Sequence, residues 1–447
     1  MNTQLLRQQI MTLAASGANP RYQLRAIFTV QGVQYPVKAV IGKRIRSEYG
    51  ERFCSNITLE IAMITKDFNQ LFAVRDNLYL TLFQEQVDAV SEVKFSNGLT
   101  IQTTYRAFFS NNEIASLGGT PGLQSTPYTD GSDDLRIFHV QLVDPIALSM
   151  SAKSAQGVFR FSTASDVLRA YIIAKTNEDK QAGLPPLLGL EMVDADVTGE
   201  SAIREQIIVD HQVKMTSLPH YLQAKEGGLY NHGIGSFIEN QRWFIFPLYN
   251  TQRFTKTEKR LSVFVADSLK LPTADCTYKW EGSTLKVIAT GGAKTQDISV
   301  SGNVSSGNGV HFQKASNFFE SPVVVDGDNR AVYNREAVSV DIMRKPRSDG
   351  LTIAHVSDNP ITDNLAREQS RIAAYDGLIM AVKWERSDIR LLTPGMPVRV
   401  YYDNGSVTTI LEGTLIRAEE QWNTETPGLM QKLQVSAALL TFFLAKP

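Results

Sequence analysis

Apolar and polar positions alternate in runs along much of this chain, and the runs set out its elements. "RYQLRAIFTV" (21–30), "NITLEIAMI" (56–64), "NLYLTLF" (77–83), "LTIQTTYRAFF" (99–109) and "LRIFHVQLV" (135–143) are rich in β-branched and aromatic residues. Gly, Asn, Asp or Pro bounds them, so each predicts a strand. The segment 111–134, "NNEIASLGGTPGLQSTPYTDGSDD", predicts a long turn-rich loop of the kind that makes contacts. Residues 1–155 are therefore expected to form a β-domain with a projecting loop.

The pattern changes at Ser162. In "STASDVLRAYIIAKTNEDK", Ser165 or Asp166 is the expected N-cap, and Val167, Leu168, Tyr171 and Ile172 share one helical face. A strand and a short helix near 217–225 follow, the helix stopped by Gly227-Gly228. "GSFIENQRWFIFPLY" predicts two strands about a tight turn at Asn240-Gln241. Residues 156–255 thus read as a small α/β module.

From 256 to 447 the β-pattern returns. "RLSVFVADS", "TYKWEGSTLKVIATGG" with a turn near Glu281-Gly282, "AVSVDIMR" (337–344), "LIMAVKWER" and "LMQKLQVSAALLTFFL" predict strands. Asp403-Asn404-Gly405 marks a hairpin inside "MPVRVYYDNGSVTTILEGTLIRAEEQW". One helix is expected near 362–375, and "SGNVSSGNG" (301–309) has linker composition. The fold class is α+β, mainly β: two β-barrel or sandwich domains separated by the module.

Composition narrows the function. The chain has 447 residues, 43% of them hydrophobic, with 45 basic and 46 acidic side chains. Such a balance suits a globular protein and lacks the basic excess of a nucleic-acid binder. Sequence-specific nucleic-acid binding and membrane insertion are not expected, since no run approaches the ~18–20 apolar residues of a span. "MNTQLLRQQIMTLAASGA" predicts an arm or short amphipathic segment. Its apolar run is broken by Arg7, Gln8 and Gln9, unlike a signal peptide. Cys54 and Cys276 predict two buried or half-buried thiols.

Candidate chemistry is sparse. His139, His211, His220, His232, His311 and His355 show no metal-ligand spacing. "EGGLYNHGIGSF" (226–237) carries a G-x-G, but it lacks the third glycine of a dinucleotide fingerprint and precedes a hairpin. Acidic residues gather in "EMVDADVTGE" (191–200) and "SDD" (132–134), and paired carboxyls can serve glycoside hydrolysis. "VVVDGDNRAVY" (323–333) has Asp326, Asp328 and Asn329 but no EF-hand glutamate, which favours a turn. No catalytic residue, cofactor or metal ligand is assigned.

One resemblance goes further. The order β-domain, α/β module, β-domain, with Tyr221, Gly227, Gly228, Tyr230, Phe237, Trp243, Phe244 and Phe246 in "HYLQAKEGGLYNHGIGSFIENQRWFIFPLY", resembles the baseplate hub proteins of contractile-tail bacteriophages. It is similar too to late-control tail proteins and the hub part of type VI secretion spikes. "PGMPVRVYY" and its hairpin look like the second barrel of those proteins. The resemblance implies two tail-tube-like domains and a non-enzymatic homotrimer in the virion tail baseplate, assembled in the host cytoplasm. It would adapt a sixfold tail tube to a threefold spike around a DNA channel. The implied partners are tail tube and central spike proteins, with tape-measure and baseplate wedge proteins as further candidates. The alternatives are a tail-associated polysaccharide or peptidoglycan hydrolase, its aromatic run 243–249 lining a site, and a carbohydrate-binding tail protein.

Overall fold

The computed structural model describes residues 3–87, 99–110, 133–181, 185–196, 202–225, 228–266, 276–290, 294–298, 370, 373–403, 408–424 and 434–446. It also gives the backbone of strands Gly309–Ala315, Pro322–Val324, Ala331–Tyr333, Ala337–Met343 and Leu351–Val356. Residues 111–132 of the expected loop, most of the helix expected at 362–375, the turn at Asn404-Gly405, Gly227 and residues 325–330 lie outside the described residues.

Six long strands make the first β-unit. Antiparallel neighbours run in the order Ala39–Glu48, Asn56–Ile64, Leu135–Val143, Thr100–Ser110, Tyr79–Val87 and Arg21–Val30. In Arg21–Val30 every second residue points inward, so Tyr22, Leu24, Ala26, Phe28 and Val30 are buried. They meet Leu59, Ile61, Leu80, Val140 and Leu142 in one core. A helix, Thr65–Ala73, adds Phe68 and Leu71 to that core, and Phe68 stacks on Phe138 at 4.0 Å. The strand expected at 77–83 begins at Tyr79, because Asn77 belongs to a single 3₁₀ turn.

The second β-unit mixes parallel and antiparallel pairing. Arg260–Ala266 lies parallel to both Thr284–Thr290 and Pro397–Asp403. Tyr278–Glu281 pairs with Thr284–Thr290 about a Gly282-Ser283 turn, where Gly282 has φ +59°. Leu378–Glu385 pairs with Gln434–Leu444. Val263, Val287, Met380, Trp384, Val400, Leu440 and Phe442 fill the core.

A shared hairpin joins the two units. Thr408–Thr424 pairs with Pro397–Asp403 through its first half and with Ala39–Glu48 through its second, from Arg417↔Glu48 to Asn423↔Gly42. Its partner Gln434–Leu444 meets Arg21–Val30 at the single pair Tyr22↔Gln434. Pairing therefore leaves the hairpin, passes through the first unit and returns at one point, which falls short of a closed barrel. The exchange is mutual. Helix Thr3–Ala14 sets Leu6, Ile10 and Leu13 against Phe264, Ala266 and Ile288 of the second unit. This amphipathic helix is the form taken by the expected N-terminal arm.

Between the units lie helices Pro145–Ala152, Ala164–Gln181 and Leu218–Lys225. A two-stranded ribbon, Ser154–Ser162 with Arg204–Lys214, runs beside them. The N-cap of the long helix is Thr163, not Ser165 or Asp166. Thr163 Oγ1 accepts the Asp166 N–H at 3.1 Å while Asp166 Oδ2 reaches back to Thr163, which is a capping box. The four residues expected on one face, Val167, Leu168, Tyr171 and Ile172, are all buried.

Candidate functional site

The aromatic hairpin Ile234–Glu239 and Arg242–Pro247 is buried on both faces. Its turn residues Asn240 and Gln241 have φ +49° and +64°, as a type I′ turn requires. Because successive side chains alternate, Phe237, Phe244 and Phe246 enter the core of the second β-unit. Ile238, Trp243 and Ile245 enter the core shared by the helices of the central region. Tyr49 of the first unit packs edge-on against Phe237, with ring centroids 4.9 Å apart. The Ile238 N–H donates to the Phe53 carbonyl at 2.7 Å. One hairpin thus touches all three regions.

The glycine-rich lead-in serves that hairpin. Gly228 has φ +76°, and its N–H donates to the Leu222 carbonyl at the end of the short helix. Gln223 Oε1 accepts the N–H groups of Leu229 and Tyr230 at 2.8 and 3.1 Å. Its Nε2 donates to the Tyr230 carbonyl at 2.6 Å. Tyr230 Oη donates to the Val193 carbonyl at 2.6 Å. Gly235 is required by close approach, since a Cβ there would strike the Phe246 ring. Tyr221 donates from Oη to the Ile208 carbonyl at 2.9 Å, tying the short helix to the ribbon.

A second cluster sits where the shared hairpin crosses into the first unit. Lys43 and Glu420 are buried, with Lys43 Nζ 4.0 Å from Glu420 Oε2 and 4.4 Å from the centre of the Trp422 ring. Trp422 Nε1 donates to the same carboxylate oxygen. Ser387 Oγ and the Ile389 N–H donate to Glu420 Oε1 at 3.0 and 3.2 Å. Burial pushes the Lys43 ammonium down to about 8, against the pull of Glu420, and pushes the Glu420 carboxyl up. Beside it Arg390 forms a two-pronged ion pair with Asp388, at 2.7 and 2.6 Å, and lies 4.9 Å from the centre of the Tyr22 ring. The single backbone contact between Arg21–Val30 and the shared hairpin is thereby backed by a charged side-chain network.

The third cluster is acidic. Half-buried Glu239 ends the first hairpin strand. Burial first and the Asp144 carboxyl second push it up to about 8. Asp144 caps helix Pro145–Ala152, accepting the Ile146 and Ala147 N–H groups at 2.8 and 3.3 Å. Burial also pushes the nearby Cys54 thiol up to about 12, with Asp144 adding to it. The folded state holds the Glu239 proton more tightly than the unfolded chain, whose carboxyl keeps its ordinary 4.5. That contribution to stability is complete below 4.5 and is lost as pH rises through about 8. Glu239→Gln is expected to flatten the decline in unfolding midpoint between pH 5 and about 8. Parallel urea-midpoint curves for the two proteins would contradict it.

The other residues singled out in the sequence are dispersed. His139 lies 3.8 Å from Glu60, His211 lies 2.7 Å from its neighbour Asp210, and His232 lies 3.4 Å from Asp196. His220 is lowered by burial. In the 191–200 cluster, Glu191 pairs with Arg242 at 2.5 Å, and Asp196 also accepts the Asn231 N–H. Among the described residues no group of three or more His, Cys, Asp or Glu side chains could hold a metal ion. Both cysteines are free thiols, Cys276 buried and Cys54 half-buried. No described helix is long and apolar enough to cross a membrane.

No family model and no curated protein matches the chain. Its structural neighbours include tail proteins and PdpA–VgrG complexes. A tail protein from Neisseria meningitidis MC58 aligns at 9% identity with a TM-score of 0.46, over 94% of this chain and 97% of that one. The 43 kDa tail protein of prophage MuSo2 from Shewanella oneidensis aligns at 9% identity and 0.45, over 94% and 98%. A half-lidded PdpA–VgrG complex from Francisella aligns at 10% identity and 0.42, over 100% of this chain and 62% of that chain.

Proposed function

We propose that this chain is a structural hub of a contractile phage tail baseplate. In this reading three copies form a ring, each presenting two tube-like β-units, so that the ring joins a sixfold tail tube to a threefold spike and lines the DNA channel. Residues 1–155, 156–255 and 256–447 are its three parts. Tail tube and central spike proteins are the direct partners, and tape-measure and baseplate wedge proteins are further candidates. The observation that carries the reading is the shared hairpin Thr408–Thr424 and Gln434–Leu444, which pairs with strands of both β-units. An adaptor must hold two similar surfaces at a fixed spacing under axial load, and continuous strands do this better than a linker. The near-zero net charge of −1 is compatible with a channel that passes DNA without gripping phosphates. Electron-microscopy class averages of the purified chain, alone and with its spike, test the proposal. Rings with threefold symmetry and a central opening are expected; solely monomeric particles in both samples would refute it.

A second reading, a tail-associated hydrolase, is favoured by one observation. Burial and the Asp144 carboxyl push Glu239 up to about 8, the direction of shift a general acid needs. Zymography on cell walls and polysaccharides decides this: clearing by the native chain that Glu239→Gln abolishes would support it, and no clearing at high loading would end it.

A further inference from the structure

Residues 250–259 lead from the aromatic hairpin into strand Arg260–Ala266 and carry cations that the described fold leaves without anions. Arg253 is only 6% exposed. Its Nη2 donates to the Gly395 carbonyl at 2.7 Å and to Thr414 Oγ1 at 3.3 Å. Its Nε is buried with no partner, and its Nη1, also without one, keeps contact with solvent. Among the described residues no carboxylate forms an ion pair with it. Asp196 pulls on it from further off but is engaged by His232 and the Asn231 N–H. Arg260 donates to Thr284 Oγ1 at 3.0 Å and to the Phe254 carbonyl at 3.5 Å, and it too lacks an acidic partner among the described residues. Lys256 and Lys259 are exposed, and neither forms an ion pair there. Four cations thus fall within residues 253–260, against the single acid Glu258.

The place is one end of the second β-unit. Arg260–Ala266, Thr284–Thr290 and Pro397–Asp403 are parallel and begin there together, with Arg260 opposite Thr284 and Leu261 opposite Val398. Phe254 gathers the charges: Arg399 lies 4.2 Å and Arg260 5.5 Å from the centre of its ring. Arg399 is matched by Glu412 at 2.5 Å, which leaves Arg253, Lys256, Lys259 and Arg260 in excess. A guanidinium taken out of water without an anion is costly, and this one calls for an anion supplied from outside. A carboxylate on a side chain suits it, because it is small enough to reach a recessed guanidinium and matches its planar donors. A nucleic acid fits less well. Phe254 is itself buried, so it offers no open ring for a base to stack on, and a backbone lying along the surface would meet Lys256 and Lys259 without reaching Arg253.

We propose that residues 253–260 receive an acidic peptide segment of a partner protein. One Asp or Glu carboxylate reaches the Arg253 guanidinium, while Lys256, Lys259 and Arg260 hold its acidic neighbours. This deepens the hub reading by naming a docking point for an adjoining tail component, and it rests on that reading for the partner's identity alone. Fluorescence anisotropy of a labelled hexaglutamate peptide with the full chain, at about 50 mM salt, tests it. Saturable binding is expected, and Lys256→Glu with Lys259→Glu, at exposed positions, should weaken it by about tenfold or more. The same reversal at exposed Lys66 and Lys180, on helices of the first β-unit and the central region, should change it by less than about twofold. Arg253→Gln, confirmed as folded by circular dichroism, should also weaken binding by about tenfold. Absence of binding, an equal loss in the control, or native affinity in folded Arg253→Gln would overturn the site. Tighter binding of an oligothymidylate of the same charge would overturn it too, by marking a nucleic-acid surface. If rings form and the peptide does not bind, this site fails and the hub stands. If the peptide binds as expected but no rings form even with the spike, the site stands and the hub reading fails.

Discussion

Gly413→Ala is expected to destabilise the protein by about 3 kcal/mol or more, with the loss falling on both β-units together. Gly413 sits in Thr408–Thr424, opposite Val398 on one side and Leu444 on the other. A Cβ built there would overlap the Phe443 carbonyl oxygen and press on the Leu444 Cα. These are backbone atoms, so no rotamer change can relieve the clash, and the two strands of the hairpin must part. Urea denaturation followed by hydrogen exchange is the measurement. Faster exchange in Ala39–Glu48 as well as in Leu378–Glu385 is expected, because both pair with that hairpin. Gly189→Ala is the control: its Cβ would meet nothing within 4 Å, and only a few tenths of a kcal/mol should change. A Gly413→Ala midpoint equal to the control's would show that the hairpin tolerates separation.

Lys43→Met alone should cost about 3–5 kcal/mol, since it strands the buried Glu420 carboxylate without its cation. The paired change Lys43→Met with Glu420→Leu should recover most of that loss, because two charges taken out of water together are no better than well-packed apolar groups. Thermal and urea midpoints of the two single variants and the pair complete the cycle. Purely additive losses would mean that the two side chains do not act together. The Ser387 and Ile389 donors to Glu420 would be left unpaired in the double variant, so recovery short of the native value is expected.

This cluster also shows where sequence reading stops. Strands 21–30, 56–64 and 135–143 were legible because their apolar alternation matches a one-sided core. Ala39–Glu48 was not: Lys43, Arg44, Arg46 and Glu48 interrupt the apolar alternation, yet Lys43 and Glu48 are buried. What buries them is Thr408–Thr424, whose Arg417 and Glu420 lie more than 350 residues away in the chain, and no local pattern encodes that pairing. Helix Thr65–Ala73 escaped for a related reason, since only Phe68 and Leu71 mark its inner face beyond Thr65. Strand Ser154–Ser162 has exposed Val158 on its outer face and exposed Phe161 at an inner-face position, so its period is blurred. The aromatic hairpin is legible in the sequence, turn included, but its role is not. Having both faces apolar says that a strand pair is buried, without saying that two different cores claim it. Glu239 gave no signal at all: a glutamate before a turn is ordinary until Asp144 and burial are seen around it.

The shared hairpin also imposes an order in time. The last strand of the first β-unit that lies before the central region, Leu135–Val143, is synthesised long before Gln434–Leu444. At 5–20 residues per second the ribosome needs roughly 15–60 seconds to make the intervening ~300 residues. Through that interval Ala39–Glu48 waits beside the nascent chain with one edge bare, an invitation to pair with a neighbouring chain on the same messenger. A chain cut short before residue 417 would never cover that edge. Only copies that extend through Thr408–Thr424 would then carry a first β-unit with that edge paired.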